Sequence, residues 1–377
     1  MAKNPCQLLH DAGTAVWMDQ LSREIVERGT LTHFIEQAAL TGVTSNPAIF
    51  EKAMTSGTSY DAQLTELAGT DLGTEQVYEE LAVRDIQLAC DLLRPVFDRM
   101  GGADGFVSLE VSPHLARDTE GTYQAARRLH AQVNRPNLFI KIPGTKEGTA
   151  AIERCLTEGI PINITLLFAI DAYEAVGEAY VRALEARAAK GESLDVASVA
   201  SFVVSRIDTL TDERLEERAS RVQGAERNEL LALRGKLAIA NAKLAYQSFL
   251  RIFRSDRFRK LEQQGARVQR PLWASTSTKN PNYRDVIYVE TLIGRDTVNT
   301  MPVQTIEAFL DHGVVRPETV LEDLDGARKA FERLEAAGIS FQEITDQLLD
   351  EAIEKFNDPY DKLLAALEEK RTALRAS

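Results

Sequence analysis

Along most of the chain, short runs rich in β-branched and aromatic residues alternate with stretches of helical periodicity. Eight runs read as strands, at residues 15–19, 43–46, 106–111, 138–142, 162–168, 196–204, 271–275 and 298–301. Gly42 and Pro47 bracket the second, and Gly101, Gly102 and Gly105 precede the third. Helix candidates follow the first, fourth and fifth runs, at 22–28, 148–158 and 172–190. The stretch from about 211 to 261 is helical, with apolar residues at Leu230, Leu231, Leu233, Leu237, Ile239, Leu244 and Tyr246. It is longer than an ordinary connecting helix and predicts a helical insertion between strands six and seven. A second helical stretch runs from about 320 to 377, with Ile344, Leu348, Leu349, Ile353 and Phe356 at helical spacing. Asn357-Asp358-Pro359 then predicts a break. Both stretches read as packing elements rather than chemistry, since amphipathic stripes usually face a core.

Eight strands with intervening helices fit a closed barrel or a doubly wound sheet. Polar positions decide between them. Asp19, Asn46, Glu110, Lys141, Asn163, Thr165, Ser201 and Ser275 sit in or at the ends of seven different strands. In a barrel, the C-terminal strand ends converge on one mouth. A doubly wound sheet gathers its ligand groups at one switch point, usually beside a Gly-rich turn. No G-x-G-x-x-G follows any of these strands, and 144–149 lacks P-loop spacing. The prediction is an α/β fold, a (β/α)₈ TIM barrel with additional helices. It forms a single domain over 1–377, with a core at about 12–315 and a helical C-terminal extension at about 316–377.

Charge narrows the function. The net charge of −13 speaks against nucleic acid or an anionic membrane as the main partner. An anionic substrate needs a local basic pocket against that field. Cys6, Cys90 and Cys155 are widely spaced and form no metal or redox motif, which suits a reducing cytosol. The first residues form no apolar signal core, and no run approaches the roughly 18 apolar residues of a membrane span. The expectation is a cytoplasmic protein without a membrane partner.

The residue that most sharpens the picture is Lys141, in Leu138-Phe139-Ile140-Lys141-Ile142-Pro143-Gly144, a buried strand ending in a Pro-Gly break. Burial favours the neutral amine. Only about 0.04% of an unperturbed lysine is uncharged at pH 7. A neutral amine in a dry pocket attacks carbonyl carbons and forms a Schiff base. The alternative is a lysine paired with a carboxylate at the barrel rim. In a barrel, Asp19 and Glu110 share its mouth and can move protons during imine formation, C–C cleavage and hydrolysis. Alternatively, Asp19 caps a helix and Glu110 is the structural partner of Lys141. Asn46, Asn163 and Thr165 fit substrate hydroxyls or an ordered water, or else satisfy backbone groups at strand ends. Arg206 can fork around a phosphate, and Ser275 and Lys279 can complete that site from the loop after strand seven. Surface ion pairs are the alternative for Arg206 and Lys279.

The chain resembles the transaldolase family, most closely the longer bacterial members. Five pieces carry the resemblance, in order: Gly42-Val43-Thr44-Ser45-Asn46-Pro47, Ser108-Leu109-Glu110-Val111, Phe139-Ile140-Lys141-Ile142-Pro143, Ile162-Asn163-Ile164-Thr165-Leu166-Leu167-Phe168, and Ser201-Phe202-Val203-Val204-Ser205-Arg206. It runs from about 16 to 301 and is weaker beyond. It implies a (β/α)₈ barrel with Lys141 as the Schiff-base lysine on strand four. By the same resemblance, Asp19 is the acid assisting C–C cleavage and Glu110 works with a water held by Asn163 and Thr165. Asn46 lies near the imine, and Ser201 and Arg206 lie on the phosphate side. The implied reaction moves a dihydroxyacetone unit from sedoheptulose 7-phosphate to glyceraldehyde 3-phosphate, in the pentose phosphate pathway. The products are erythrose 4-phosphate and fructose 6-phosphate. No metal or organic cofactor is implied. The partners are small sugar phosphates, and the chain is a monomer or homodimer.

Two stretches depart from the family pattern. Where many members have Ser-Phe-Arg-Asn after strand seven, this chain reads Ser275-Thr276-Ser277-Thr278-Lys279-Asn280. Lys279 in place of that arginine binds phosphate as a point charge rather than a fork. Ser201-Phe202-Val203 replaces a Ser-Pro-Phe order, which leaves open which aromatic borders the pocket. Three other functions compete. A fructose 6-phosphate aldolase in the same barrel family would release free dihydroxyacetone. A metal-dependent aldolase would need ligands such as histidines, and His10, His33, His114, His130 and His312 are scattered. A non-catalytic sugar-phosphate sensor could lose the acids that are present here.

Overall fold

The computed structural model describes residues 3–55 and 57–376. Eight parallel strands close into a barrel in chain order. They are β1 (Thr14–Met18), β2 (Leu40–Val43), β3 (Phe106–Glu110), β4 (Leu138–Pro143), β5 (Ile162–Leu167), β6 (Ser198–Val203), β7 (Arg270–Ala274) and β8 (Thr297–Met301). The ring shuts where β8 pairs with β1, from Thr14 opposite Thr297 to Met18 opposite Met301.

The apolar runs arise because barrel strands are buried on both faces. Outward residues such as Leu109, Ile140, Ile142 and Ile164 pack in the core shared with the helices. Inward residues Ala15, Trp17, Phe106, Phe139, Val199, Leu272 and Val298 form a separate apolar cluster. Phe106 stacks on Phe139 with ring centroids 4.1 Å apart. At the N-terminal end of the barrel, Asp104 accepts from Trp17 Nε1 at 2.9 Å and from Arg270 Nη1 at 3.0 Å. Side chains alternate along a strand, so the residue two positions further faces inward one level higher. That rule places Asp19 above Trp17, Ser108 above Phe106, Lys141 above Phe139, Ser201 above Val199 and Thr300 above Val298. The barrel thus has an apolar floor and a polar upper level. Gly42 is required by the floor: a Cβ there would lie 2.3 Å from Trp17 Cε2.

The second strand lies earlier than expected, at Leu40–Val43. Pro47 opens the helix Pro47–Thr55, and Asn46 Oδ1 accepts from Ile49 N at 3.0 Å as its cap. The insertion expected between β6 and β7 is present as four helices: Ser205–Ala219, Gly224–Leu231, Leu237–Phe253 and Asp256–Glu262. The chain turns between them at Gly224 and Gly235, with φ of 67° and 70°. A second insertion, unforeseen, fills the span between β2 and β3 with Pro47–Thr55, Asp61–Ala68 and the long helix Thr74–Arg99.

The break expected at Pro359 does not occur; the C-terminal helix runs continuously over Phe341–Ala376. Proline removes one helical N–H and crowds the preceding turn. Packing beyond it outweighs that cost, since Tyr360, Leu363 and Leu367 are buried. Arg371 and Arg375 also donate to the carbonyls of Thr70 and Ala68, at 2.7 and 2.6 Å. The helix touches Pro47–Thr55, which follows β2, and Ser205–Ala219, which follows β6. Those strands lie on opposite sides of the ring, so the helix spans the mouth. Among the described residues, no helix is long and apolar enough to cross a membrane.

Candidate active site

The polar upper level opens into a cavity of about 110 Å³ at the C-terminal strand ends. It is lined by Asp19, Thr44, Asn46, Lys141, Thr165, Leu166, Phe168, Ser201, Val203, Arg206, Ala274, Ser275, Thr300 and Phe356. Seven of the ten residues expected from sequence therefore share one wall-to-wall space.

Strand register sets the centre of the site. Glu110 of β3 pairs with Lys141 of β4, and Lys141 pairs with Asn163 of β5. Neighbouring strands are roughly 4.8 Å apart, so these inward side chains meet. Lys141 Nζ lies 3.1 Å from Glu110 Oε2 and donates to Ser45 O at 3.1 Å. Only 6% of Lys141 and 7% of Glu110 is exposed, so the pair is dry. Burial pushes the Glu110 carboxyl above the usual range, against the pull of Lys141, and the charge of Asp19 pushes it the same way as burial. Glu110 lies behind the cavity surface and reaches it through the amine.

Asp19 follows β1, half-buried, with its N–H on Met301 O at 2.8 Å. Its Oδ1 accepts from Thr44 Oγ1 at 2.9 Å, and that hydroxyl meets Thr300 Oγ1 at 2.9 Å. Burial raises its pKa, opposed by Lys141, the Thr44 hydrogen bond and Lys279. It is not a helix cap: Ser22 caps Arg23–Glu27 by accepting from Ile25 N.

Asn163 is fully buried and does not line the cavity. It donates to Ser108 Oγ at 2.9 Å and accepts from Ser201 Oγ at 2.6 Å, which ties β3, β5 and β6 together. Thr165, one level higher on β5, does line the space. The β5–β6 register shifts between Ile164 and Leu167, and Leu166 has φ of 57°. A left-handed non-glycine residue costs about 1–2 kcal/mol. The irregularity places both Leu166 and Phe168 on the cavity wall. Asn241 Nδ2 holds the Phe168 carbonyl at 2.7 Å.

Arg206 sits in the first turn of Ser205–Ala219, half-buried at the cavity edge. Burial lowers its pKa, with Glu351 opposing. Among the described residues it makes no ion pair and no side-chain hydrogen bond, which sets it apart from the many paired arginines of this chain. Ser275 follows β7 directly in a left-handed conformation, φ 55°, and its Oγ meets Ser205 Oγ at 3.0 Å. This joins the loop after β7 to the turn that carries Arg206. Lys279 lies outside the cavity. Its Nζ donates to Ser277 Oγ at 2.8 Å, and it borders a neighbouring acidic cleft with Asp208 and Asp212. Burial and the charge of Arg206 lower its pKa, while Asp19 raises it.

The sequence reading missed Thr44, Leu166, Phe168, Val203, Thr300 and Phe356. Thr300 follows from alternation along β8, and Thr44 lies within the segment that contains Asn46. Phe202 faces outward, packed edge-on against Tyr173 and Trp273. The aromatics bordering the cavity are Phe168 and Phe356, the latter from the C-terminal helix. Among the described residues, no three His, Cys, Asp or Glu side chains gather to hold a metal ion.

The arrangement brings a buried amine, two carboxyls whose protonation burial favours, and an unpaired guanidinium around one small space. It can hold a ligand with a carbonyl at one end and an anion at the other. The model of the transaldolase/fructose-6-phosphate aldolase family matches residues 16–367. A transaldolase of Trichodesmium erythraeum is 45% identical over 376 residues, covering 98% of each chain. One of Thermobifida fusca is 46% identical over 362 residues, 96% of each, and a transaldolase 2 of Nostoc sp. is 44% identical over 382 residues, 98% of each. On these grounds the chain belongs to the transaldolase/fructose-6-phosphate aldolase family, as an enzyme of the transaldolase kind.

Proposed function

We propose that the chain transfers a dihydroxyacetone unit between sugar phosphates through a Schiff base on Lys141. The donor is sedoheptulose 7-phosphate and the acceptor glyceraldehyde 3-phosphate, giving erythrose 4-phosphate and fructose 6-phosphate in the non-oxidative pentose phosphate pathway. The observation that carries this reading is the buried Lys141–Glu110 pair, 3.1 Å apart, whose lysine lines a cavity edged by the unpaired Arg206. A lysine held only for structure needs no cavity beside it.

In this reading Glu110 takes the proton that the Lys141 ammonium must lose, because burial already favours its protonated form. The free amine adds to the ketone carbon. Glu110 returns a proton to the carbinolamine hydroxyl, and water leaves as the iminium forms. Asp19 then takes the proton of the substrate hydroxyl next to the scissile bond. That bond breaks, the aldehyde departs, and the electron pair passes into the iminium to give an enamine. With an acceptor aldehyde the same steps run backward. Arg206 binds the phosphate, supported by Ser275 and Ser201, while Lys279 adds field from outside. Asn46 and Thr165 meet substrate hydroxyls. Asn163 acts at one remove, by fixing Ser108 and Ser201 beside the amine.

The chain is read as one barrel domain, with a core over about 12–315 and the helices of 316–377 docked upon it. It works in the cytoplasm, where its substrates occur and where three buried free thiols stay reduced. Borohydride trapping with fructose 6-phosphate, followed by peptide mass spectrometry, tests the reading. The expected result is a reduced adduct on Lys141. An adduct on another lysine overturns the site, and no adduct overturns the imine.

A further inference from the structure

The C-terminal helix presents a stripe at four-residue spacing to the barrel: Ile344, Leu348, Ala352, Phe356 and Tyr360. Four of these are 0–5% exposed. Phe356 alone is only partly buried. It packs against the core on one side and lines the catalytic cavity on the other. Lys141 Nζ lies 5.9 Å from the centre of its ring, and the ring is part of the wall that also includes Leu166, Phe168 and Val203. The helix is fastened on both sides of Phe356. Arg214 donates to Gln347 Oε1 at 2.9 Å before it, and Tyr360 donates to Glu75 Oε1 at 2.7 Å and Asp361 meets His114 at 2.7 Å after it.

We propose that Phe356 keeps water from the enamine on Lys141, and so favours transfer over release; this rests on the Schiff-base reading above. The enamine carbon has two fates. It can attack an acceptor aldehyde, forming a C–C bond while the aldehyde oxygen takes a proton and the iminium is regenerated. It can instead take a proton from water, again giving an iminium. Hydrolysis of that iminium adds one water, frees Lys141 and releases dihydroxyacetone. Both routes share every ionisable group of the site, so those groups do not select between them. Access of water to the carbon does, and Phe356 is the aromatic surface set over the amine. Its π-face also suits the cationic iminium, which lies within the range of cation–π attraction.

The test uses Phe356→Ala and Phe356→Leu in the full chain, with fructose 6-phosphate as donor and erythrose 4-phosphate as acceptor. The readout is free dihydroxyacetone formed per transfer product, with borohydride trapping in parallel. Phe356→Ala is expected to raise that ratio about tenfold, equivalent to ~1.4 kcal/mol in the partition. Phe356→Leu, which restores bulk, is expected to return it most of the way. In D₂O the extra dihydroxyacetone carries deuterium at the carbon the enamine protonates. An unchanged ratio in the alanine variant, with the Lys141 adduct intact, overturns the proposal. If that variant fails to fold, Phe356→Val carries the same test, and an unchanged ratio there overturns it equally. A wild-type protein that forms no adduct overturns the Schiff-base reading as well, which separates the two failures.

Discussion

At Lys141, Glu110 and Asp19, an amine and two carboxyls share a confined space: Lys141 lowers the pKa of both carboxyls against burial, and Asp19 raises that of Glu110. Asp19 acts as a base only when ionised, and burial raises its pKa. The acid limb of kcat/KM is therefore expected above the ordinary carboxylate range near 4. Asp19→Asn should lower kcat by about 10²–10⁴-fold and abolish that limb, while borohydride still traps Lys141. A pH–rate profile of both proteins decides this; an identical acid limb in the variant assigns the titration elsewhere. Arg206→Ala should raise KM for phosphorylated donors about 10- to 100-fold, the worth of one or two charge-assisted hydrogen bonds. Turnover of unphosphorylated fructose should change little, and a parallel loss with both donors would remove Arg206 from phosphate binding. Most of this cluster was legible in the sequence because strand alternation is local: once Phe139 faces the floor, Lys141 must face the cavity. Lys279 was less legible. A loop after a strand has no such periodicity, and its lysine turned toward Ser277 and the acidic cleft.

Among the secondary elements, the insertion between β2 and β3 rests on a buried ion pair. Arg23 Nε lies 2.8 Å from Asp85 Oδ1, and Tyr60 donates to Asp85 Oδ2 at 2.6 Å. Asp85→Ala strands a buried guanidinium and should destabilise the protein by about 3–5 kcal/mol. The double change Arg23→Met with Asp85→Leu should be much less harmful. Urea unfolding of the three proteins measures both, and a double variant as damaged as the single one refutes the account. The helices here were only partly readable. The stretch after β6 announced itself by its length. The C-terminal helix was seen, but its continuity through Pro359 and the placement of Phe356 depend on surfaces far away in the chain. No local pattern marks a phenylalanine that lines a cavity as well as the core, among four stripe neighbours that are buried.

The molecule as a whole carries a net charge of −13, yet its cavity gathers Lys141 and Arg206, with Lys279 near, so the anionic end of a substrate meets local positive charge against the general field. Stability also has a pH signature. Asp208 is buried, accepts from Tyr288 at 2.7 Å and from Ala238 N at 2.8 Å, and burial raises its pKa to about 6 from 3.8. The folded state therefore holds this proton more tightly than the unfolded chain. Its contribution is fully present below pH 4 and is lost as pH rises to about 6, by up to about 3 kcal/mol. Asp208→Asn should gain stability relative to wild type between pH 4 and 7. Urea titrations at both pH values check this, and a constant difference between the two proteins rules it out.

The alternation that aims Lys141 into the barrel also limits how the gene can change. A one-codon deletion anywhere from Leu138 to Ile140 would reverse the parity of the strand after it. The lysine would turn into the helix layer and a neighbouring isoleucine would occupy the pocket. Loss of two codons would restore the facing but lower the amine by about 6.6 Å, into the space of Phe139. The helices between strands can lengthen or shorten, as the two insertions show, while the distance from Leu138 to Lys141 admits no change of length in either direction.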